Sequence, residues 1–166
     1  MVISGTGTAG AQVVLWRKRA GQSSFQQAAT STADTAGKYT FTLKRGTVMA
    51  DQEWYVTSNG TQSSTVTQQV AALVGLGSST RSAVVGHKIV LRGHVTPSHA
   101  GERVLIEMSR GGAWQVLARP RLGHGSRYTV SHSFGRSGAV KFRVVLRGDS
   151  RNEQSISPTL RVNIRS

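Results

Sequence analysis

The chain has no cysteine, only three prolines and only seven acidic residues in 166. Without cysteine there is no disulfide, no thiolate metal site and no cysteine nucleophile. Hydrophobic residues make up 37% of the chain, yet they nowhere form the run of about 18 apolar residues that a membrane-spanning helix requires. The opening Met1-Val2-Ile3-Ser4-Gly5 lacks a charged segment followed by an apolar one, so it does not read as a signal peptide. If the protein is exported, the signal is expected to lie upstream of this chain or to have been removed. The acids Asp34, Asp51, Glu53, Glu102, Glu107, Asp149 and Glu153 are scattered, with no pair spaced for general acid and base work. No Gly-x-Ser-x-Gly elbow, phosphate-binding glycine loop or HExxH helix occurs. The expectation is a chain with no catalytic residues, no cofactor and no metal site.

What is present is a repeat. Gly10-Ala11-Gln12-Val13-Val14-Leu15, Phe25 and Gly37-Lys38-Tyr39-Thr40-Phe41 recur as Gly101-Glu102-Arg103-Val104-Leu105-Ile106, Trp114 and Gly125-Ser126-Arg127-Tyr128-Thr129-Val130. The offset is 91 residues at Gly10, 89 at Tyr39 and 88 at Val56, which pairs with Val144. A period this long is a duplicated domain, and it divides the chain into residues 1–70 and 71–166.

The copies differ in charge. Residues 1–79 carry six Lys and Arg against three acids, whereas residues 80–166 carry fifteen against four, giving net charges of +3 and +11 within the total of +14. Arg outnumbers Lys by 16 to 5, and all five histidines lie in the second half. An excess of this size favours contact with polyanions, although the same charge also serves a plain solvated surface.

Alternation with period two dominates. In Val140-Lys141-Phe142-Arg143-Val144-Val145-Leu146-Arg147 the apolar residues face one way and the basic ones the other, as in a half-buried strand. Leu160–Arg165 and Lys38–Lys44 repeat the pattern. Turn residues such as Thr96-Pro97-Ser98 and Arg110-Gly111-Gly112 punctuate the strands at the short spacing of an antiparallel sandwich. The second copy divides into seven strands, at 72–76, 88–95, 103–109, 114–118, 127–133, 140–147 and 159–164. The first copy lacks the introductory strand, because Val2-Ile3-Ser4-Gly5 already matches Val90-Leu91-Arg92-Gly93. Either an upstream part has been removed or a neighbouring chain supplies a strand. No Pro/Gly-rich linker separates Gln69 from Val70-Ala71-Ala72, so the copies are expected to join end to end with limited freedom.

The segments Leu73–Leu76, Val84–Pro97, Gly101–Ile106, Trp114-Gln115-Val116, Arg127-Tyr128 and Ser157-Pro158-Thr159 resemble the tandem immunoglobulin-like or fibronectin type III-like modules of exported proteins from high-GC Gram-positive bacteria. The resemblance implies an all-β fold of two tandem immunoglobulin-like β-sandwiches, the first without its opening strand. It also implies a stalk, adhesin segment or spacer, secreted or displayed on a cell or virion surface. It departs from antibody domains in lacking the cysteine pair.

Three groups of residues are candidate sites. If the strands at 103–109, 140–147 and 159–164 are neighbours, Arg103, Lys141, Arg143, Arg147, Arg161 and Arg165 point outward from one sheet. They would take an anionic cell-wall polymer or another acidic surface, and nucleic acid only nonspecifically. The competing role for such charge is to prevent edge-to-edge aggregation. Trp16 and Tyr55 form a second, weaker candidate, a glycan contact on adjacent strands, whereas Trp54, Trp114 and Phe25 read as packing residues. His94, His99, His124 and His132 have no carboxylate at a ligand-like spacing and read as solvated or singly hydrogen-bonded. The expected function is a non-catalytic attachment module. The alternatives are an assembly or virion subunit completed by a strand from a neighbouring copy, and an accessory domain of a cell-wall hydrolase.

Overall fold

The computed structural model describes residues Met1–Ser166, and apart from one short 3-10 turn at His124–Ser126 its regular elements are all β-strands. The chain divides into two compact units. Unit 1 comprises Met1–Val70 with Ser150–Glu153, and unit 2 comprises Ala71–Asp149 with Gln154–Ser166.

Unit 1 contains β1 (Val2–Thr6), β2 (Gln12–Arg19), β3 (Gln26–Thr32), β4 (Lys38–Thr42), β5 (Gln52–Ser58), β6 (Thr61–Gln62) and β7 (Val66–Gln68). One sheet runs β3-β2-β5-β6, with β7 also on β5; the other is the pair β1-β4. Between them lies a small core of Val13, Leu15, Ala33, Phe41 and Trp54. Alternation explains the choice of residues. Val13 and Leu15 point inward from β2, while Gln12 points out. The segment Ser150–Glu153 is tied into this unit, with Asn152 Nδ2 donating to the carbonyls of Met49 and Val70 at 3.0 and 2.9 Å.

Unit 2 contains β8 (Leu73–Val74), β9 (Gly77–Ser78), β10 (Ser82–Val84), β11 (Lys88–Thr96), β12 (Val104–Ser109), β13 (Gln115–Ala118), β14 (Arg127–Ser133), β15 (Gly138–Leu146), β16 (Ser155–Ile156) and β17 (Leu160–Arg165). Its larger sheet has the order β10-β17-β15-β12-β13, with β16 on β15, and the smaller has β14-β11-β8, with β9 on β11. All pairings are antiparallel except β10 on β17. The first stretch of unit 2 thus serves both sheets, through β8 and β9 on one and β10 on the other. Two antiparallel sheets with this strand order make an immunoglobulin-like sandwich. Its core includes Ile89 and Leu91 from β11, Val104 and Ile106 from β12, Val140, Phe142 and Val144 from β15, and Leu160, Val162 and Ile164 from β17. Each contributes about 1.5–3 kcal/mol by leaving water.

The units share fine detail as well as order. β1 pairs Gly5 with Tyr39 of β4, and β11 pairs Gly93 with Tyr128 of β14. The register shifts between Leu15 and Trp16 in unit 1 and between Ile106 and Glu107 in unit 2. Gly10 and Gly101, ahead of β2 and β12, both take positive φ, at 72° and 90°, a conformation that favours glycine. Three short strands of unit 2 escape the sequence reading, β9, β10 and β16, of two or three residues each. β10 is three residues long and pairs parallel with β17, too short to show alternation.

Candidate functional site

The large sheet of unit 2 carries the six basic residues singled out from sequence. Lys141 of β15 is the register partner of Arg161 of β17. Directly opposed residues in an antiparallel pair project from the same face, so these two cations are neighbours, and both are exposed. Arg143 lies two residues along β15, also outward, but its charge is engaged. Its Nε donates to Glu107 Oε2 of β12 at 2.7 Å, and its guanidinium lies 4.4 Å from the centroid of the Trp114 ring. Arg103 precedes β12 and donates to the carbonyl of Arg119 at 2.8 Å. Arg147 follows β15, and Arg165 ends β17 at the opposite end of the sheet, where Ile164 pairs with Gly138. The six are therefore spread along the sheet, over about 30 Å at roughly 3.3 Å per residue, with Lys141 and Arg161 the adjacent pair.

In unit 1, Trp16 and Tyr55 are register partners on β2 and β5. Their rings stack at 6.0 Å and 21°, and Phe25 tilts onto Tyr55 at 4.6 Å. Trp16 Nε1 donates to Thr57 Oγ1 at 2.9 Å, and Lys18 lies 5.3 Å over the Phe25 ring. Trp54 is buried beneath them. Phe25 and Trp114 belong to neither core; each packs on the outer face of its sheet, Phe25 on Tyr55 and Trp114 under Arg143.

The acids are mostly committed to structure. Glu53 pairs with Lys18 at 2.9 Å, Asp34 accepts from the backbone of Ala36 and Lys38, and Asp51 accepts from Val70 N–H at 2.6 Å. Glu107 holds Arg143, and Glu153 accepts from Gln69 at 2.7 Å. The remaining two, Glu102 and Asp149, converge on His99. Sequence spacing hides this cluster, because Asp149 is fifty residues from His99 and meets it only through the fold.

Among the other titratable groups, burial pushes the Tyr128 phenol well above its ordinary value. Burial, and then the charge of Arg110, hold the His132 imidazole below its ordinary value. Arg17 is lowered by burial and by Arg19.

No protein-family model and no curated protein matches the chain. Among solved structures it is similar to a tetra-tandem repeat from the extending region of a large adhesion protein, at 16% identity and a TM-score of 0.43. That match covers 97% of this chain and 45% of the other, so the chain spans under half of that structure. It is also similar to the D0-D1 domain of intimin, at 13% identity over 98% of this chain and 89% of that one, with a TM-score of 0.42. A third similar structure is invasin, a bacterial integrin-binding protein, at 15% identity over 98% of this chain and 35% of that one, with a TM-score of 0.41. At these levels the architecture rests on the strand pairings themselves.

Proposed function

We propose that the chain is a non-catalytic, surface-displayed attachment module whose second unit presents a basic sheet face to an anionic polymer such as a cell-wall glycopolymer. The observation that carries the reading is the adjacency of Lys141 and Arg161 on a rigid sheet, within a unit that carries most of the net charge. Two adjacent cations held by strands meet a string of phosphates without ordering a loop first. Display outside the cell rests on the resemblance of the sequence to exported bacterial modules. The absence of catalysis fits the structural use of five of the seven acids.

The test is binding of the chain to teichoic acid, heparin and DNA across salt concentrations. Affinity is expected to fall steeply with salt, and the fall to become shallower in a K141A/R161A chain, because fewer counterions are released. A response that is flat from low to moderate salt sinks the reading.

A second reading, assembly by strand addition, has its own support in unit 1. There β1 pairs only with β4, whereas in unit 2 the equivalent β11 also carries β8 and β9. Beside β1 lies a cleft of about 590 Å³ lined by Val2, Leu15, Tyr39, Trp54 and Val66 among others. Val2 and Val66 there are 62% and 61% exposed. The occupant this reading commits to is an extended segment of a neighbouring copy, taking the place that Leu73-Val74 and Gly77-Ser78 take on β11. Sedimentation that shifts with concentration in the parent chain, and not in a V66D chain, supports it. A concentration-independent monomer refutes it.

A further inference from the structure

His99 is buried to 1% exposure in the loop between β11 and β12. Its main chain is pinned, because its N–H donates to Ser126 Oγ at 2.6 Å. Its ring Nδ1 stands 2.8 Å from the carbonyl oxygen of Pro97. A carbonyl only accepts, so Nδ1 carries the proton and Nε2 the lone pair of the neutral ring. That Nε2 has no hydrogen-bond partner and lies 3.7 Å from Asp149 Oδ2.

Such an arrangement is unfavourable as it stands. A lone pair facing a carboxylate oxygen is repelled, and a buried polar atom without a partner costs about 1–3 kcal/mol. Protonating Nε2 does not complete a hydrogen bond, since charge-assisted N–H···O bonds measure about 2.7–2.9 Å. A cation between the two groups removes the conflict. Ligand atoms bound to one ion at about 2.0–2.2 Å sit roughly 3–4 Å apart, and the separation of 3.7 Å falls in that range. A Glu102 carboxylate oxygen is the third donor; the three ligand atoms lie within 4.8 Å of one another, and a small side-chain rotation closes them onto one ion.

We propose that His99 Nε2, Asp149 and Glu102 bind one divalent first-row transition cation, with zinc the best fit. The imidazole nitrogen selects against calcium and magnesium, which prefer all-oxygen shells. The bond from Nδ1–H to the Pro97 carbonyl is the outer support that ligating histidines use to fix ring and tautomer. A neutral imidazole with two carboxylates balances the charge of the ion. Because the Asp149 side chain is partly open to solvent, at 23% exposure, the ion has a path in and a coordination position for water. Bound there, it clamps the β11–β12 loop to the end of the strand β15 segment in unit 2.

The test uses the full chain, stripped with a chelator and titrated with zinc chloride by calorimetry, with magnesium and calcium chloride as comparators. Imidazole resonances are followed by NMR. Replacing His99 risks the fold, so the carboxylates are replaced instead, as E102Q and D149N, with retained folding checked by circular dichroism. One zinc per chain is expected, with a shift of the His99 ring signals and at least about tenfold weaker binding in each variant. An H87Q/H94Q/H124Q chain, altered only at exposed histidines, is expected to bind as the parent does. Absence of one-to-one binding, unchanged affinity in both carboxylate variants, or loss of binding in the triple histidine variant overturns the assignment.

Discussion

Tyr128 donates its hydroxyl proton to the carbonyl oxygen of Gly75 at 2.6 Å, joining β14 to the segment between β8 and β9 across the intervening β11. The bond crosses over Gly93, the register partner of Tyr128, where a Cβ would meet both the Gly75 carbonyl and the Tyr128 hydroxyl. Glycine is therefore required at 93 by close approach. Y128F is expected to destabilise unit 2 by about 1–2 kcal/mol through the lost buried bond. G93A is expected to cost more, because backbone has to move. Hydrogen exchange of the β11 and β14 amides measures both, and equal protection in Y128F would show the bond to be idle.

Tyr39 stands opposite Gly5 in unit 1 as Tyr128 stands opposite Gly93 in unit 2, and a Cβ at Gly5 would again run into the tyrosine ring. What differs is the strand beyond. Y39F in the isolated chain is expected to change the stability of unit 1 by less than about 0.5 kcal/mol, the ordinary effect of a change away from a buried partner. A loss as large as that in Y128F, read by exchange of the β1 and β4 amides, would show that the Tyr39 hydroxyl already has a buried partner.

The fold was legible because alternation is strict where one face is buried. Val140, Phe142 and Val144 announce a core face, and the outward positions of Lys141 and Arg161 follow from the same period. The repeated Gly and Tyr pair made the duplication visible. Three things were not legible. β9, β10 and β16 pair through two or three residues each, β10 in parallel, which leaves no local trace. The seat of Trp114 under Arg143 depends on what lies across β12, where the register shifts after Ile106. His99 meets Asp149 only because a loop and a strand end converge, and no spacing rule connects residues so far apart.

Arg143 is the basic residue whose role is most clearly structural. It bonds Glu107 at 2.7 Å and covers the Trp114 ring at 4.4 Å. A partly buried pair at the surface contributes about 0.2–1 kcal/mol and the ring contact about 0.5–1 kcal/mol more. A double-mutant cycle with R143M and E107Q is expected to give a coupling of about 0.5–1 kcal/mol in urea unfolding that shrinks in high salt. In polymer binding, R143M is expected to flatten the salt dependence less than K141A or R161A. The reverse order would move the binding surface away from the Lys141 and Arg161 pair.

Phe142 is fully buried at the centre of β15, with Phe134 6.0 Å away. F142A is expected to cost unit 2 about 3–5 kcal/mol, the loss of transfer energy plus the cavity left behind. That is a large part of the stability of a domain this size, so the amides of β12, β15 and β17 should lose protection together. Loss confined to β15 alone would mean that the sandwich does not unfold as one unit.

His132 packs edge-on to Phe134 at 4.5 Å, while Arg110 sits over the same Phe134 ring at 5.3 Å and also reaches the carbonyls of Arg136 and Ser137. Burial first, and then the Arg110 charge, hold the imidazole below its ordinary pKa of 6.5. Well above pH 6.5 the ring is neutral in both folded and unfolded chains and stability is unaffected. As pH falls through 6.5 the unfolded chain takes up a proton that the folded chain refuses, so stability drops until the lower folded pKa is passed. Unit 2 should therefore lose stability on acidification in that window, and H132Q should lose less. NMR titration of the His132 ring gives the direct check, and a midpoint at or above 6.5 would remove the cause, as would identical pH profiles for parent and H132Q in the presence of a chelator.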